Sequence, residues 1–419
     1  MNILIKGVRL AEGAVRDIFI EDGRIDEISE ACARTAHRTI DGGNKIALPA
    51  FINGHTHAAM TLLRGYADDL PLKTWLEEKI WVLEAKLTGE DVYWGTKLAC
   101  LEMIKNGVTV FNDMYWFWED SAHAVCDMGV RGFLSAVFID MFDRKKACEQ
   151  IESNIELFRI AEKYSPNVVF CLGPHALYSV SRESLAWAAE FSRSHGVPVH
   201  MHLAESESET LFSREKYGRS PVEFLEEQGL LSERFLGAHG CWVDEEDAAI
   251  LARTGANLIN NPVSNLKLCV GSMFPYRLVS ESAIPYCFGT DGCSSNNHLD
   301  MMETIKFASL LAKFSTNDPT FLPAREAFER ATRDAGRIFG LGDWEIKVGS
   351  TADIILVDLA RPEFVPNFDI YSDMVYAANG CVVDTVVSMG RVVMEGRLVP
   401  GEDEIMEHAR RVARDLPGR

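Results

Sequence analysis

The sequence predicts an α/β protein: a (β/α)8, TIM-like barrel with a small β-sandwich domain built from both chain ends. Three observations carry this. The middle of the 419-residue chain alternates strand-like and helix-like segments through eight units. Histidines and acidic residues fall at or just past the ends of those strand-like segments. Short apolar strands separated by turn residues occupy both ends of the chain, and neither set can close a core alone.

Residues 1–48 hold short strands at Ile3-Leu4-Ile5, Asp17–Glu21 and Ile25–Ile28, punctuated by Gly13 and the hairpin signal Asp22-Gly23. Residues 347–419 hold their partners. Ala352–Asp358 and Val382–Met389 read as strands, Gly390-Arg391 as a tight turn into Val392–Met394, and Leu398-Val399 as a further short strand. Residues 1–48 and 347–419 are thus expected to form one small β domain, with residues 49–346 inserted between them as the barrel.

Within the insertion, apolar positions from Leu83 to Ile104 repeat at helical spacing, with Gly107 as the stop. Strands follow at Val108–Asp113, Gly132–Phe138 and Val168–Leu172. A helix at Arg182–His195 precedes the strand Val197–His202. Three more strands lie at Phe235–His239, Asn257–Asn260 and Ile284–Phe288. With the strand that ends at His55 there are eight. Repeated βα units give a parallel sheet, and a closed barrel of eight carries its chemistry at strand C-termini.

Composition narrows the function. A formal charge of −20 argues against binding nucleic-acid phosphates or an anionic membrane surface and favours a neutral or cationic small substrate. None of the ten cysteines forms a C-x-x-C pair, as expected of free thiols in a reducing cytosol. The apolar run near Met1 is too short for a signal peptide, and no run approaches the ~18 apolar residues of a membrane span. A cytoplasmic location is expected.

The stretch Pro49-Ala50-Phe51-Ile52-Asn53-Gly54-His55-Thr56-His57 is the focus of the chain. Alternate residues on a strand share a face, so His55 and His57 project together. His202 ends the fifth strand, Glu205 lies three residues on, His239 ends the sixth, and Asp291 follows the eighth in Gly289-Thr290-Asp291-Gly292. Catalytic zinc takes about three protein ligands and keeps a position for water; His55, His57, His202 and Asp291 supply them. A metal so held lowers the pKa of water to near 7. Glu205 is placed to take the water proton and pass it to substrate, and His239 to hold or deprotonate the water.

Each residue has a plainer role when taken singly. His202 fits a core position, Glu205 a helix start, His239 a helix cap, and Asp291 a turn beside Gly292. Together, in barrel order, they point to a metal centre. His37, His123, His195 and His408 lack this placement and read as surface or structural. His200 shares the strand face of His202, and His298 is left unassigned.

On these residues the chain resembles the amidohydrolase superfamily, and within it the deaminases of S-adenosylhomocysteine, methylthioadenosine and 5′-deoxyadenosine. The stretches that carry the resemblance are Leu48–His57, Leu62-Leu63-Arg64-Gly65-Tyr66-Ala67-Asp68-Asp69, Gly173-Pro174-His175, His200-Met201-His202-Leu203-Ala204-Glu205, Asn261-Pro262-Val263-Ser264-Asn265-Leu266-Lys267, and Gly289-Thr290-Asp291 with Ser295-Asn296-Asn297. The resemblance implies one Zn2+ per chain on His55, His57, His202 and Asp291, with Glu205, His239 and Asp291 catalytic. It implies hydrolytic deamination of an adenine nucleoside at C6, giving the inosine analogue and ammonia, by a homo-oligomer. It assigns Glu84 to the ribose hydroxyls and His175 to the purine side. Trp75 lies in the same lid segment, near the base or the 5′ group, or serves as a core anchor. Related sites act on guanine, triazines or cyclic amides, and a non-catalytic scaffold is the remaining alternative.

Two departures stand out. Relatives that take S-adenosylhomocysteine carry an arginine just after the third strand; Leu134–Phe138 leads into no such residue here, and Arg144 lies further on. Without a guanidinium there is no bidentate grip on the amino-acid carboxylate, so small uncharged 5′ groups are expected to be preferred. Asn260 stands where many relatives have histidine before Asn-Pro.

Overall fold

The computed structural model describes residues 2–419. Five strands precede the barrel: β1 (Ile3–Arg9), β2 (Val15–Glu21), β3 (Arg24–Ser29), β4 (Arg38–Asp41) and β5 (Lys45–Pro49). The last two go beyond the pattern reading. In β4 only Ile40 is buried, so the strand lacks an apolar run. β5 leads straight into the next strand with no turn residue between.

The barrel strands are β6 (Phe51–Thr56), β7 (Val108–Tyr115), β8 (Arg131–Phe138), β9 (Val168–Pro174), β10 (Val199–Leu203), β11 (Phe235–His239), β12 (Asn257–Asn260) and β13 (Tyr286–Phe288). They hydrogen-bond in sequential order, each parallel to the next. The seam between β13 and β6 is closed by side chains and one backbone bond. Asn53 Nδ2 donates to Thr290 Oγ1 at 2.7 Å, the Thr290 amide donates to Asn53 Oδ1 at 3.0 Å, and the Asp291 amide donates to the His55 carbonyl at 2.9 Å. The eight expected strands are therefore the eight observed, in a nearly closed barrel.

The small sheet draws on both ends. β14 (Ile354–Asp358), β15 (Val383–Ser388) and β16 (Arg391–Met394) join it in the order β16-β15-β14-β5-β1-β2-β3, with β4 branching off β1. Strand alternation lets this sheet serve two cores. Ile354 and Leu356 pack with Ile3, Ile5 and Ala47, whereas Ile355 and Val357 join Ile46 and Leu48 in the barrel's cluster.

Two local expectations are corrected. The segment Leu83–Ile104 is not one helix. Leu72–Trp75, a wider π turn at Leu76–Ile80 and Trp81–Glu84 run on together, and a separate helix Gly89–Lys105 follows. Thr88 and Asp91 form a capping box that starts the second helix. The Leu398-Val399 strand is reduced to a single bridge, Glu395 to Leu398. The chain then leaves the sheet as a helix, Glu402–Asp415, and buries Ala409 and Val412 among barrel-side residues such as Leu62 and Val92. Among the described residues, no helix is long and apolar enough to cross a membrane. All ten cysteines are free thiols.

Candidate metal centre and active site

The C-terminal ends of the barrel strands bring His55, His57, His202, His239 and Asp291 together. The parallel register pairs Leu203 with His239, which sets β11's last residue level with the end of β10. Beyond β6 the chain is pinned by Asp113, whose Oδ1 accepts from Thr56 Oγ1 at 2.9 Å and from the Ala58 amide at 2.6 Å. His239 and Asp291 adopt left-handed backbone, with φ of +78° and +62°. Such conformations cost about 1–3 kcal/mol in non-glycine residues and gather at functional sites.

The hydrogen bonds behind the cluster decide where its protons sit. His57 Nδ1 lies 2.7 Å from the Met114 carbonyl, His202 Nδ1 is 2.9 Å from the His175 carbonyl, and His239 Nδ1 is 2.7 Å from Asn265 Oδ1. Each partner only accepts, so each Nδ1 carries a hydrogen, and in its neutral form each ring turns a bare Nε2 inward. Asp291 Oδ2 accepts from Ser264 Oγ (2.6 Å) and Ser295 Oγ (2.8 Å), leaving Oδ1 aimed at the cluster.

Two sets of inward atoms lie within 4.8 Å of one another, His55 with His57 and Asp291, and His55 with His202 and His239. His55 Nε2 and His57 Nε2 each lie 3.3 Å from Asp291 Oδ1, and the Nε2 atoms of His57 and His202 are 3.2 Å apart. Ligand atoms ~2.0–2.1 Å from a tetrahedral zinc stand roughly 3.3 Å from one another. Two bare imidazole lone pairs facing each other repel unless a cation lies between them. His55 Nε2 is also buried with no hydrogen-bond partner. Three imidazoles and a carboxylate are a donor set that suits zinc. Burial pushes His55 down to about 4, against the pull of Asp291. For Asp291, burial pushes upward but is outweighed by contact with His55 and by His57, so its carboxyl stays well below the usual range. Neutral imidazoles and an ionised carboxylate are the metal-binding forms.

Glu205 sits beside this cluster, its Oε1 4.0 Å from His239 Nε2. Burial raises the Glu205 pKa. Burial lowers that of His239, but Glu205 and Asp291 more than offset it, so His239 is raised. Glu209 holds this corner. Its Oε1 accepts the Ala204 amide at 3.1 Å and its Oε2 the Glu205 amide at 2.9 Å, across a turn where Ala204 has φ +47°.

The cluster forms the floor of a cleft at the barrel mouth. Trp75, Trp81, Glu84, His175, Tyr178, Glu205 and His239 all line it. Trp75 is buried as well as cleft-lining, so its two expected placements coincide. His175 Nδ1 bonds Ser179 Oγ at 2.9 Å, and burial lowers its pKa to about 3, so its ring is neutral. Burial raises Glu84 to about 7, against the Tyr115 hydroxyl, His57 and Trp116 nearby. Glu84 Oε1 is shielded from solvent and has no hydrogen-bond partner.

The nine singled-out residues are thus brought to one cluster and one cleft. His37, His123, His195 and His408 are not: they contact Asn2, Tyr164, the Phe191 carbonyl and Trp94. His298 pairs with Glu303 at 3.0 Å. Sequence reasoning assigned no role to Glu209, Asn265, Ser264, Ser295 or Tyr115, which support the cluster or the cleft. Asn265, Ser264 and Ser295 lie inside the quoted stretches, but only the fold shows what they touch. Asn260 also gains an account. It donates to Tyr276 Oη at 2.8 Å and accepts from Asn265 Nδ2 at 3.4 Å, backing the residue that holds His239. Three of the quoted stretches meet at Asp68, which accepts from Lys267 Nζ (2.6 Å) and Asn297 Nδ2 (3.0 Å).

The chain belongs to the amidohydrolase family, whose model matches residues 46–393. It is 44% identical over 418 residues to a 5′-deoxyadenosine deaminase of Methanoregula boonei, covering 97% of this chain and 93% of the relative. It is 43% identical over 422 residues to a 5-methylthioadenosine/S-adenosylhomocysteine deaminase of Archaeoglobus fulgidus, covering 99% of each. Among solved structures, a zinc-containing adenosine deaminase from Xanthomonas campestris superposes with a TM-score of 0.92 at 30% identity, covering 100% of this chain and 98% of that one.

Proposed function

We propose that this protein is a zinc-dependent aminohydrolase that removes the 6-amino group of adenine nucleosides with small, uncharged 5′ groups. The observation that carries this reading is Glu84: a shielded carboxylate oxygen without a partner, in the same cleft as a histidine–aspartate cluster spaced for a metal. A carboxylate accepts two hydroxyl donors well, as a ribose offers them. The named activities of the relatives point to the same substrates.

His55, His57, His202 and Asp291 would hold the ion, which when bound lowers the pKa of water to near 7. Glu205 accepts the proton of the attacking water and delivers it to ring N1. His239, oriented by Asn265, bonds the attacking oxygen as it joins C6. The second proton passes to the amino group, the C6–N bond breaks, and ammonia and the inosine analogue leave. His175 faces the base as a neutral ring, and Glu84 fixes the ribose.

Beyond Glu84 the cleft continues into an outer chamber lined by Trp116, Phe117, Ile139 and Met141, with Lys146 its one cation. Arg144 is exposed and does not line it. These apolar walls suit a 5′-deoxy or methylthio group. Lys146 is a mobile point charge and not a bidentate clamp. A cytoplasmic location and a homo-oligomeric state belong to the same reading; free thiols support the first and the family resemblance the second.

The test is ammonia release by zinc-loaded protein with 5′-deoxyadenosine, methylthioadenosine, adenosine, S-adenosylhomocysteine, guanine and a chloro-triazine. Activity confined to the adenine nucleosides is expected, with the highest kcat/KM for an uncharged 5′ group. A higher value for S-adenosylhomocysteine that Lys146→Ala abolishes would overturn the 5′ preference. Turnover of guanine or the triazine alone would overturn the substrate class.

A further inference from the structure

Three of the four clustered histidines owe their tautomer to an oxygen that only accepts. His55 does not. Its Nδ1 lies 2.7 Å from Nε2 of a second imidazole, His200, and both rings are fully buried. An imidazole nitrogen can donate or accept, so this contact alone leaves the proton of His55 undecided. Two arrangements of equal charge compete. In one, the hydrogen sits on His55 Nε2 and points at Asp291 Oδ1, 3.3 Å away. In the other, it sits on Nδ1 and points at His200, and Nε2 is bare.

The inward side of His55 breaks the tie. Its Nε2, 3.3 Å from Asp291 Oδ1, is buried and makes no hydrogen bond, whereas Nδ1 lies within hydrogen-bond reach of His200. A hydrogen on Nδ1 is therefore satisfied and one on Nε2 is not. His200 Nε2 then accepts from His55, and its own Nδ1–H can donate to Ser135 Oγ, 3.0 Å away on β8. We propose that His200 is a positioning residue that accepts the Nδ1–H of His55 and so holds His55 in the tautomer whose Nε2 is free for the metal. His200 does not line the cleft and meets the ligand cluster at His55 Nδ1. It acts through His55, as outer-shell partners of metal-binding histidines do. The inference rests on the proposed metal centre for its purpose, but its chemical content, the tautomer of His55, is readable without metal.

Two variants and two measurements test it. His200→Phe keeps an aromatic ring but accepts nothing; His200→Gln restores an acceptor for His55 and a donor for Ser135 Oγ. Zinc is titrated against a competing chelator in each folded protein. His200→Phe is expected to bind zinc ~10–100-fold more weakly, the usual cost of losing an outer-shell partner, with His200→Gln recovering most of the loss. In metal-free, 15N-histidine-labelled protein, the His55 resonances should report Nδ1–H in the parent and Nε2–H in His200→Phe. Equal zinc affinity in parent and His200→Phe overturns the proposal, as does an unchanged His55 tautomer. A parent that takes up no zinc removes the metal centre instead, and the tautomer comparison still decides the role of His200.

Discussion

Glu84 and Glu205 are the same side chain set to different tasks by their surroundings. Glu205 faces a histidine and the cluster. Glu205→Gln keeps its shape and hydrogen-bonding reach but cannot take a proton. It is expected to retain zinc and lose ~10²–10⁴-fold in kcat, the usual scale of general acid–base catalysis; near-normal turnover with full metal ends that assignment. Glu84 instead pays in stability for its place in the wall. With a folded pKa of about 7 against an ordinary 4.5, the folded chain binds more protons than the unfolded one between those values. Stability from this group is present below pH 4.5 and is lost as pH rises through 7. Glu84→Gln should therefore melt higher than the parent above pH 7 and match it near pH 4. Nucleoside binding should show the opposite trend, strengthening as pH rises through about 7 in the parent and staying flat in Glu84→Gln. Such a carboxyl reads in sequence as an ordinary solvated helix residue. Only its burial, produced by residues far away in the chain, makes it chemically distinct.

At the scale of elements, the strands were legible because buried parallel strands are continuous apolar runs bounded by helices. The seam where β13 meets β6 was not. There Gly289 stands so close to its neighbour that an added Cβ would lie 2.5 Å from Asn261 Oδ1 and 2.6 Å from the His55 amide nitrogen. Gly289→Ala should push β13 away from His55 and cost about 1–3 kcal/mol, the scale of overpacking. A lowered Tm with weakened zinc binding is expected, and parental values for both would contradict the role given to the seam. The lid shows the opposite limit of pattern reading. Helical periodicity continues smoothly from Leu83 to Ile104, but the capping box at Thr88 and Asp91 divides it. The π turn at Leu76–Ile80 leaves no mark in the hydrophobic pattern at all.

At the scale of the molecule, the barrel and the two-ended sheet share one apolar boundary, and the Ala50 amide ties across it by donating to the Asp353 carbonyl at 3.1 Å. The proposed metal centre lies at the far end of the same strands and would gather its ligands from β6 and the residue after it, from β10, and from the turn after β13. An ion held there links elements distant in sequence and binds the folded chain alone, so it should stabilise the whole domain by mass action, about 2.7 kcal/mol at a free concentration 100 times Kd. Removing metal with a chelator is expected to lower Tm, and zinc is expected to restore it. A Tm indifferent to both would speak against a structural share for the ion.

The sequence by itself determined the eight-strand order, the pairing of the two chain ends and the side chains that gather at the barrel mouth. Period-2 and period-3.6 patterns, and the rule that chemistry sits at strand C-termini, are local or topological and survive in one dimension. Tertiary structure alone decided what stands behind those side chains: Ser264 and Ser295 on Asp291, Asn265 on His239, Glu209 on the Glu205 amide and His200 on His55. It also decided the burial that shifts Glu84. Ser295 and Glu209 reach partners four positions away, but the other contacts span 26 to 145 positions; proton placement and desolvation depend on such contacts, which hydrophobic periodicity does not encode.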